Sequence, residues 1–128
     1  MRTHARSGSS EAGLATTEVV ILFPVFIAVV LAIVQGALWA HAGAIAQAAA
    51  EHGVEVAATV GAADDDGVAA AQDFTANAGT LQSVVVLAAN AADSELVQMT
   101  VTGRYPTVFG SLTVTATATT VRERVPEP

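Results

Sequence analysis

An uncharged apolar run near the N-terminus constrains what this chain can become. It reads Val19-Val20-Ile21-Leu22-Phe23-Pro24-Val25-Phe26-Ile27-Ala28-Val29-Val30-Leu31-Ala32-Ile33-Val34, then Gln35-Gly36-Ala37-Leu38-Trp39. No Asp, Glu, Lys or Arg occurs from Val19 to Ala50. Crossing the hydrocarbon core of a bilayer takes roughly 20 mainly apolar helical residues. As a helix, Leu14–Ala40 would be about 40 Å long, enough to cross with some tilt. Trp39 falls where an aromatic ring would sit at the far interface. Pro24 removes one backbone hydrogen bond from within the run, a loss that membrane helices tolerate. Glu18 abuts the run. A carboxylate at the edge of hydrocarbon is costly and marks a function or a partner.

The flanks set the orientation. Met1–Ala12 is polar and small, without apolar periodicity, and is expected to be disordered. Its Arg2 and Arg6 are the only basic residues before Arg104. The positive-inside bias therefore keeps the N-terminus in the cytoplasm and sends the chain after Trp39 outside. The expected organisation is a leader over residues 1–13, a span over 14–40 and an extracytoplasmic domain over 41–128.

Composition removes several function classes. Of 128 residues, 52% are hydrophobic and the formal net charge is −7. An acidic chain without a basic patch has no electrostatic route to nucleic acid. With no Cys, it has no disulfide framework, thiolate nucleophile or Cys-based zinc site.

Beyond the span, His41–Val60 is Ala-rich and continues the helix. Gly36, Ala40, Ala44 and Ala48 form a small-residue stripe that would let another helix approach closely, or is plain Ala-rich helix. Ile45, Ala49, His52, Val56 and Val60 form a second stripe, expected to face the outer domain. Gly61–Gly67 reads as a loop, and Val68–Asn77 as a short helix ending near Gly79. The remainder is β. Ser83–Ala88 is apolar and β-branched. Leu96–Thr102 puts Val97, Met99 and Val101 on one face. Leu112–Thr120 sets Leu112, Val114, Ala116 and Ala118 against Thr113, Thr115, Thr117 and Thr119. Such alternation marks a sheet with one buried and one solvated face. Ala89–Ser94 and Gly103–Ser111 are expected as links, and Arg122–Pro128 as a fraying tail. The fold class is α+β: a long N-terminal helix followed by a small antiparallel sheet of three or so strands.

Metal and catalytic readings do not survive inspection of spacing. His4 is isolated. His41 and His52 fall on one helix face but about 16 Å apart, too far for one metal. Asp64-Asp65-Asp66-Gly67 lacks the alternate ligands and distant Glu of a calcium loop. No Ser-His-Asp order, phosphate loop or paired-carboxylate cleft is present, so no cofactor is expected and the chain reads as non-enzymatic. The threonine face of the last strand is a good strand surface, or an edge for pairing with a partner subunit.

Gly13 followed by Glu18 resembles the prepilin-peptidase site of type IV pilins and minor pilins. In those proteins the leader is cut after a glycine, and the fifth mature residue is a glutamate heading the apolar helix. The resemblance implies a cut between Gly13 and Leu14, with Glu18 at mature position five. The new α-amine of one subunit could then pair with Glu18 of a neighbour inside the membrane, where a partnered charge is tolerable and a lone one is not.

Gly13–Pro24 (Gly-Leu-Ala-Thr-Thr-Glu-Val-Val-Ile-Leu-Phe-Pro) is similar, more closely, to the TadE-like family of bacterial tight-adherence pilus proteins. These are pseudopilins: short single-pass membrane proteins with a glutamate ahead of a proline-containing apolar run. Gln35-Gly36 and Ala46-Gln47-Ala48-Ala49 fit the helix that follows. Glu11-Ala12 beside the cut is not basic, as it often is in that family. Trp39-Ala40-His41 stands where an aromatic-rich helix with basic residues is more usual. The resemblance implies a pilin-like helix and a role in assembling a Flp-type pilus at the cell membrane. Implied partners are a prepilin peptidase, other minor pilins, the major Flp pilin, the inner-membrane platform with its ATPase, and membrane lipid. Gly13 and Leu14 would flank the cut, Glu18 would make the inter-subunit contact, and Val19, Pro24, Val34 and Trp39 would belong to the anchor. Two alternatives stay open. One is a signal-anchored envelope binding protein without a filament role. The other is a secreted domain released at Ala40-His41-Ala42, which has the A-x-A form read by signal peptidase.

Overall fold

The computed structural model describes residues 8–90 and 95–126. Five elements follow in order: α1 (Gly8–Ala58), α2 (Asp64–Ala78), β1 (Gln82–Asn90), β2 (Leu96–Thr107) and β3 (Gly110–Val121). This is the expected α+β class, a long apolar helix ahead of a three-stranded antiparallel sheet in the order β1-β2-β3. The chain divides into two units, Met1–Ala37 and Leu38–Pro128, and α1 contributes to both.

Among the described residues of the first unit, α1 is the one regular element. Its large apolar side chains are exposed, from Leu14 at 71% to Val34 at 47%. Pro24 lies inside the helix without ending it. The helix begins at Gly8, so Gly8–Ala12 is helical where disorder was expected. Glu11 lies in the first turn, where a carboxylate complements the helix dipole. Arg2, His4 and Arg6 lie outside the described residues.

In the second unit, α1 and α2 cover one face of the sheet. Ala42, Ala46, Ala49, Ala50, Val54 and Ala57 of α1 meet Val97, Met99 and Val101 of β2 and Val114, Ala116 and Ala118 of β3 in one core. The strand faces are those the alternation predicts, except that Leu112 is 48% exposed. The helix face differs from expectation. Ala49 is buried and Ile45 and Val56 are partly so, but His52 and Val60 are exposed. The buried stripe is made of smaller residues because the facing strand is itself small: Ala against Ala brings helix and sheet close, and larger side chains are left at the flanks.

The acidic segment read as a loop is the first turn of α2. Asp64, Asp65 and Asp66 all lie there, favoured by the dipole. Asp66 Oδ2 accepts a hydrogen bond from the Ala63 amide at 2.9 Å, half of a capping box. The helix ends as expected at Gly79, with φ 65°, whose amide donates to the Thr75 carbonyl at 3.1 Å.

β1 pairs with β2 through a register shift between Gln82 and Val85. Ser83, with φ 50°, takes up the extra residue of this bulge. β2 and β3 pair continuously from Leu96↔Val121 to Thr107↔Gly110. The expected link Gly103–Ser111 is therefore mostly strand, Tyr105-Pro106 included, and only Val108-Phe109 turns. Neither has positive φ; Gly110 supplies it just past the turn, at 138°. Pro106 stands opposite Ser111 and beyond Arg104, where the pairing of β2 with β1 ends, so at this level β2 is locally an edge, where a sheet admits proline. Ala89 and Asn90, expected in a link, complete β1, while residues 91–94 lie outside the described residues.

The tail is tied down where fraying was expected. The Arg122 amide donates to the Glu95 carbonyl at 2.6 Å, and the Glu123 amide to the Ala58 carbonyl, near the end of α1, at 3.0 Å. The Arg122 guanidinium pairs with Asp64 at the start of α2, at 2.5 Å. Arg124 pairs with Glu95 at 3.4 Å. Residues 127–128 lie outside the described residues.

Candidate functional site

The residues singled out near the N-terminus lie on one uninterrupted helix. Gly13, Leu14 and Glu18 are all exposed, and a Cβ on Gly13 would meet nothing within 4 Å. The Thr17 hydroxyl donates to the Gly13 carbonyl at 2.9 Å, and the Thr16 hydroxyl to the Ala12 carbonyl at 2.8 Å. Such back-bonding is local and satisfies a hydroxyl on a helix that otherwise offers it no partner. Glu18 stands about 1.4 turns past Gly13 and opens the apolar stretch. Val19 is 62% exposed, Val34 47% and Trp39 54%. Gln35 keeps its Oε1 out of solvent contact and without a hydrogen-bond partner among the described residues.

Gly36, Ala40 and Ala44 remain exposed and Ala48 is partly covered, so this small-residue stripe lies off the face packed on the sheet. Ala42 of the A-x-A triplet is fully buried in the core, in mid-helix. Among the described residues no group of three or more His, Cys, Asp or Glu could hold a metal ion. His52 instead lies beside Phe74, ring centroids 5.9 Å apart. The outer face of the β2–β3 hairpin carries threonine pairs, Thr100 with Thr117 at 3.1 Å and Thr102 with Thr115 at 3.3 Å between hydroxyl oxygens.

Reasoning from sequence did not single out Gly53 and Gly67. They bring α1 and α2 together: a Cβ on Gly67 would stand 2.4 Å from the Gly53 carbonyl oxygen and 3.0 Å from Met99 Cε. The available signal was a lone glycine inside an Ala-rich helix, which often marks close packing.

These features define a protein with one apolar helix long enough for a bilayer and a small α+β unit after it. The helix segment Glu11–Ala58 has an 18-residue window of mean hydropathy 2.8, none of it buried. Residues 13–55 match the sequence model of the TadE-like protein family, the family that Gly13–Pro24 resembles. It is a pilus-associated, structural family rather than an enzymatic one, and a long apolar N-terminal helix fits membrane anchoring. Searches among curated proteins and among solved structures each returned no match.

Proposed function

We propose that this chain is a single-pass, membrane-anchored TadE-like pseudopilin that takes part in assembling a tight-adherence (Flp-type) pilus. The observation that carries the reading is the coincidence at the head of α1. The family match begins at residue 13, Glu18 follows where the pilin-like pattern needs it, and an apolar helix with exposed large side chains runs on from there. Residues 1–13 are then a cytoplasmic leader, 14–40 the span and 41–128 an extracytoplasmic domain.

Prepilin peptidase would cut between Gly13 and Leu14. The α-amine so formed would pair with Glu18 of a neighbouring subunit, which lets the carboxylate sit at the lipid boundary. Val19, Pro24, Val34 and Trp39 would belong to the helix that packs among other minor pilins and the major pilin, above the platform and its ATPase. Two features support helix association in lipid, where close packing and polar contacts replace the hydrophobic effect. One is the exposed Gly36, Ala40 and Ala44 stripe, and the other is the unpartnered Gln35 amide oxygen. The burial of Ala42 disfavours the rival cut at Ala40-His41-Ala42, since it would strip a residue from the core.

Glu18→Ala tests the reading. The variant should insert into membranes at wild-type levels but lose co-purification with partner pilins and lose piliation. Unchanged co-purification and piliation would refute the role of Glu18 and favour a plain envelope anchor.

A further inference from the structure

The β2–β3 hairpin ends in an apolar tip that the described residues leave exposed. Phe109 is 92% exposed and Val108 62%. Leu112, on the same hairpin, is 48% exposed, and on α1 Leu38 and Trp39 are 40% and 54% exposed. Two bulky apolar side chains at the apex of a tight turn gain nothing from a purely aqueous setting, and clusters of this kind mark contact surfaces.

The direction of the tip follows from the packing. Trp39, Ala40 and Gly43 line a shallow groove with Thr113, Val114 and Thr115, and a Cβ on Gly43 would stand 3.9 Å from the Val114 side chain. Farther on, the Glu123 amide bonds the Ala58 carbonyl. β3 therefore runs in the same sense as α1, and going back from Val114 to Phe109 leads toward Leu38, the first residue of this unit. At about 3.3 Å per residue, those five strand residues carry the tip roughly 16 Å past the level of Gly43. Leu38 lies only about 8 Å back along the helix. The tip thus projects from the end of this unit at which Leu38 lies.

Charge is distributed to match. From Leu96 to Val121 the hairpin holds no carboxylate and a single cation, Arg104, paired in register with Thr113. The described carboxylates of the unit lie on α1 from Glu51 onward, on α2, and at Glu95 and Glu123 beyond the other end of the hairpin. The described carboxylates of the unit thus lie away from the tip, and an arginine stands at its shoulder. That is the arrangement a phospholipid surface favours.

We propose that Val108-Phe109 is a second membrane contact: the hairpin tip dips into the interfacial layer of the bilayer that α1 crosses. Trp39, which lies about 10 Å behind the tip along that direction, sits at the headgroup side of the same layer, and Arg104 faces the headgroup phosphates. The proposal rests on the reading of α1 as a span. Its consequence is orientational, because a domain held at two points is fixed relative to the membrane plane while one held by a single helix is free to swing.

The chain has no Cys, so single cysteines can carry an environment-sensitive nitrobenzoxadiazole probe. The full chain would be labelled in turn at Val108→Cys, at Val30→Cys in the apolar run, and at Thr119→Cys, which is exposed near the far end of β3. Each would be reconstituted into vesicles of phosphatidylcholine and phosphatidylglycerol with and without doxyl-labelled lipid. The Val30 and Val108 probes should lose most of their emission to lipid quencher, Val30 to the deeper and Val108 to the shallower one. Thr119 should lose none. Adding Phe109→Asp to the Val108→Cys chain should restore its emission. A Val108 probe as unquenched as Thr119, with Val30 quenched, overturns the tip contact and leaves the span standing. A Val108 probe shielded from water yet untouched by lipid quencher also overturns it, since protein then covers the tip. If Val30 too escapes quenching, the spanning reading fails and the tip contact with it.

Discussion

Gly53 and Gly67 face each other across the α1–α2 contact, with room for no more than hydrogen on the Gly67 side. A Cβ added at Gly67 would lie 2.4 Å from the Gly53 carbonyl oxygen and 2.7 Å from Ala57 Cβ; one added at Gly53 would lie 3.0 Å from the Gly67 carbonyl oxygen. The atoms in the way are backbone and a short side chain, which cannot swing aside. Gly67→Ala should therefore destabilise the outer unit by about 1–3 kcal/mol through overpacking, despite the roughly 1 kcal/mol that alanine gains over glycine in a helix. Gly36→Ala, with nothing within 4 Å, should leave that stability unchanged. Urea unfolding of the full chain in detergent, followed by near-UV dichroism, compares the two.

Asp66 closes the first turn of α2 onto the Ala63 amide, and Ala63 itself makes no side-chain cap. Asp66→Ala should cost about 1 kcal/mol, from the lost capping bond and the lost favourable charge at the helix start. The same unfolding measurement reads it, and Asp66→Glu should recover part of the loss.

Arg122 acts mainly through its backbone. Its guanidinium pair with Asp64 is partly solvated, with side chains 37% and 29% exposed, so Arg122→Ala should cost no more than about 1 kcal/mol. Arg122→Pro removes the amide that bonds the Glu95 carbonyl. It should cost more, and hydrogen exchange should then rise at the paired end of β2 and β3.

Much of this arrangement is legible in the sequence, for identifiable reasons. The uncharged run from Val19 to Ala50 admits few forms other than a long helix, and strict alternation in Val97–Val101 and Thr113–Thr119 fixes both strand and buried face. The departures fall where a local pattern has a second reading or where tertiary contact outweighs it. Asp64-Asp65-Asp66 reads as a loop by composition, yet three carboxylates suit a helix start. Tyr105-Pro106 reads as a turn, yet the hairpin closes at Val108-Phe109. The buried stripe of α1 is set by the small residues of β3, which no hydrophobic period within α1 encodes. For the site, Gly13 and Glu18 are visible as a spacing, whereas the Gly53–Gly67 contact needs the two helices in place.

Gly13→Val places a β-branched side chain beside the proposed cut. The helix has open space there, so folding should be unaffected while leader removal is blocked. Immunoblots of host membranes should show only the longer form. A wild-type mobility shift that persists in the variant would exclude Gly13–Leu14 as the processed bond.

Under the proposed function, the mature subunit begins at Leu14 and presents a new amine to a neighbour's Glu18. Intact mass and N-terminal sequencing of the protein isolated from its own membranes measure this directly. The expected result is a polypeptide starting at Leu14 in cells that make pili. A functional protein that retains its first thirteen residues would contradict it.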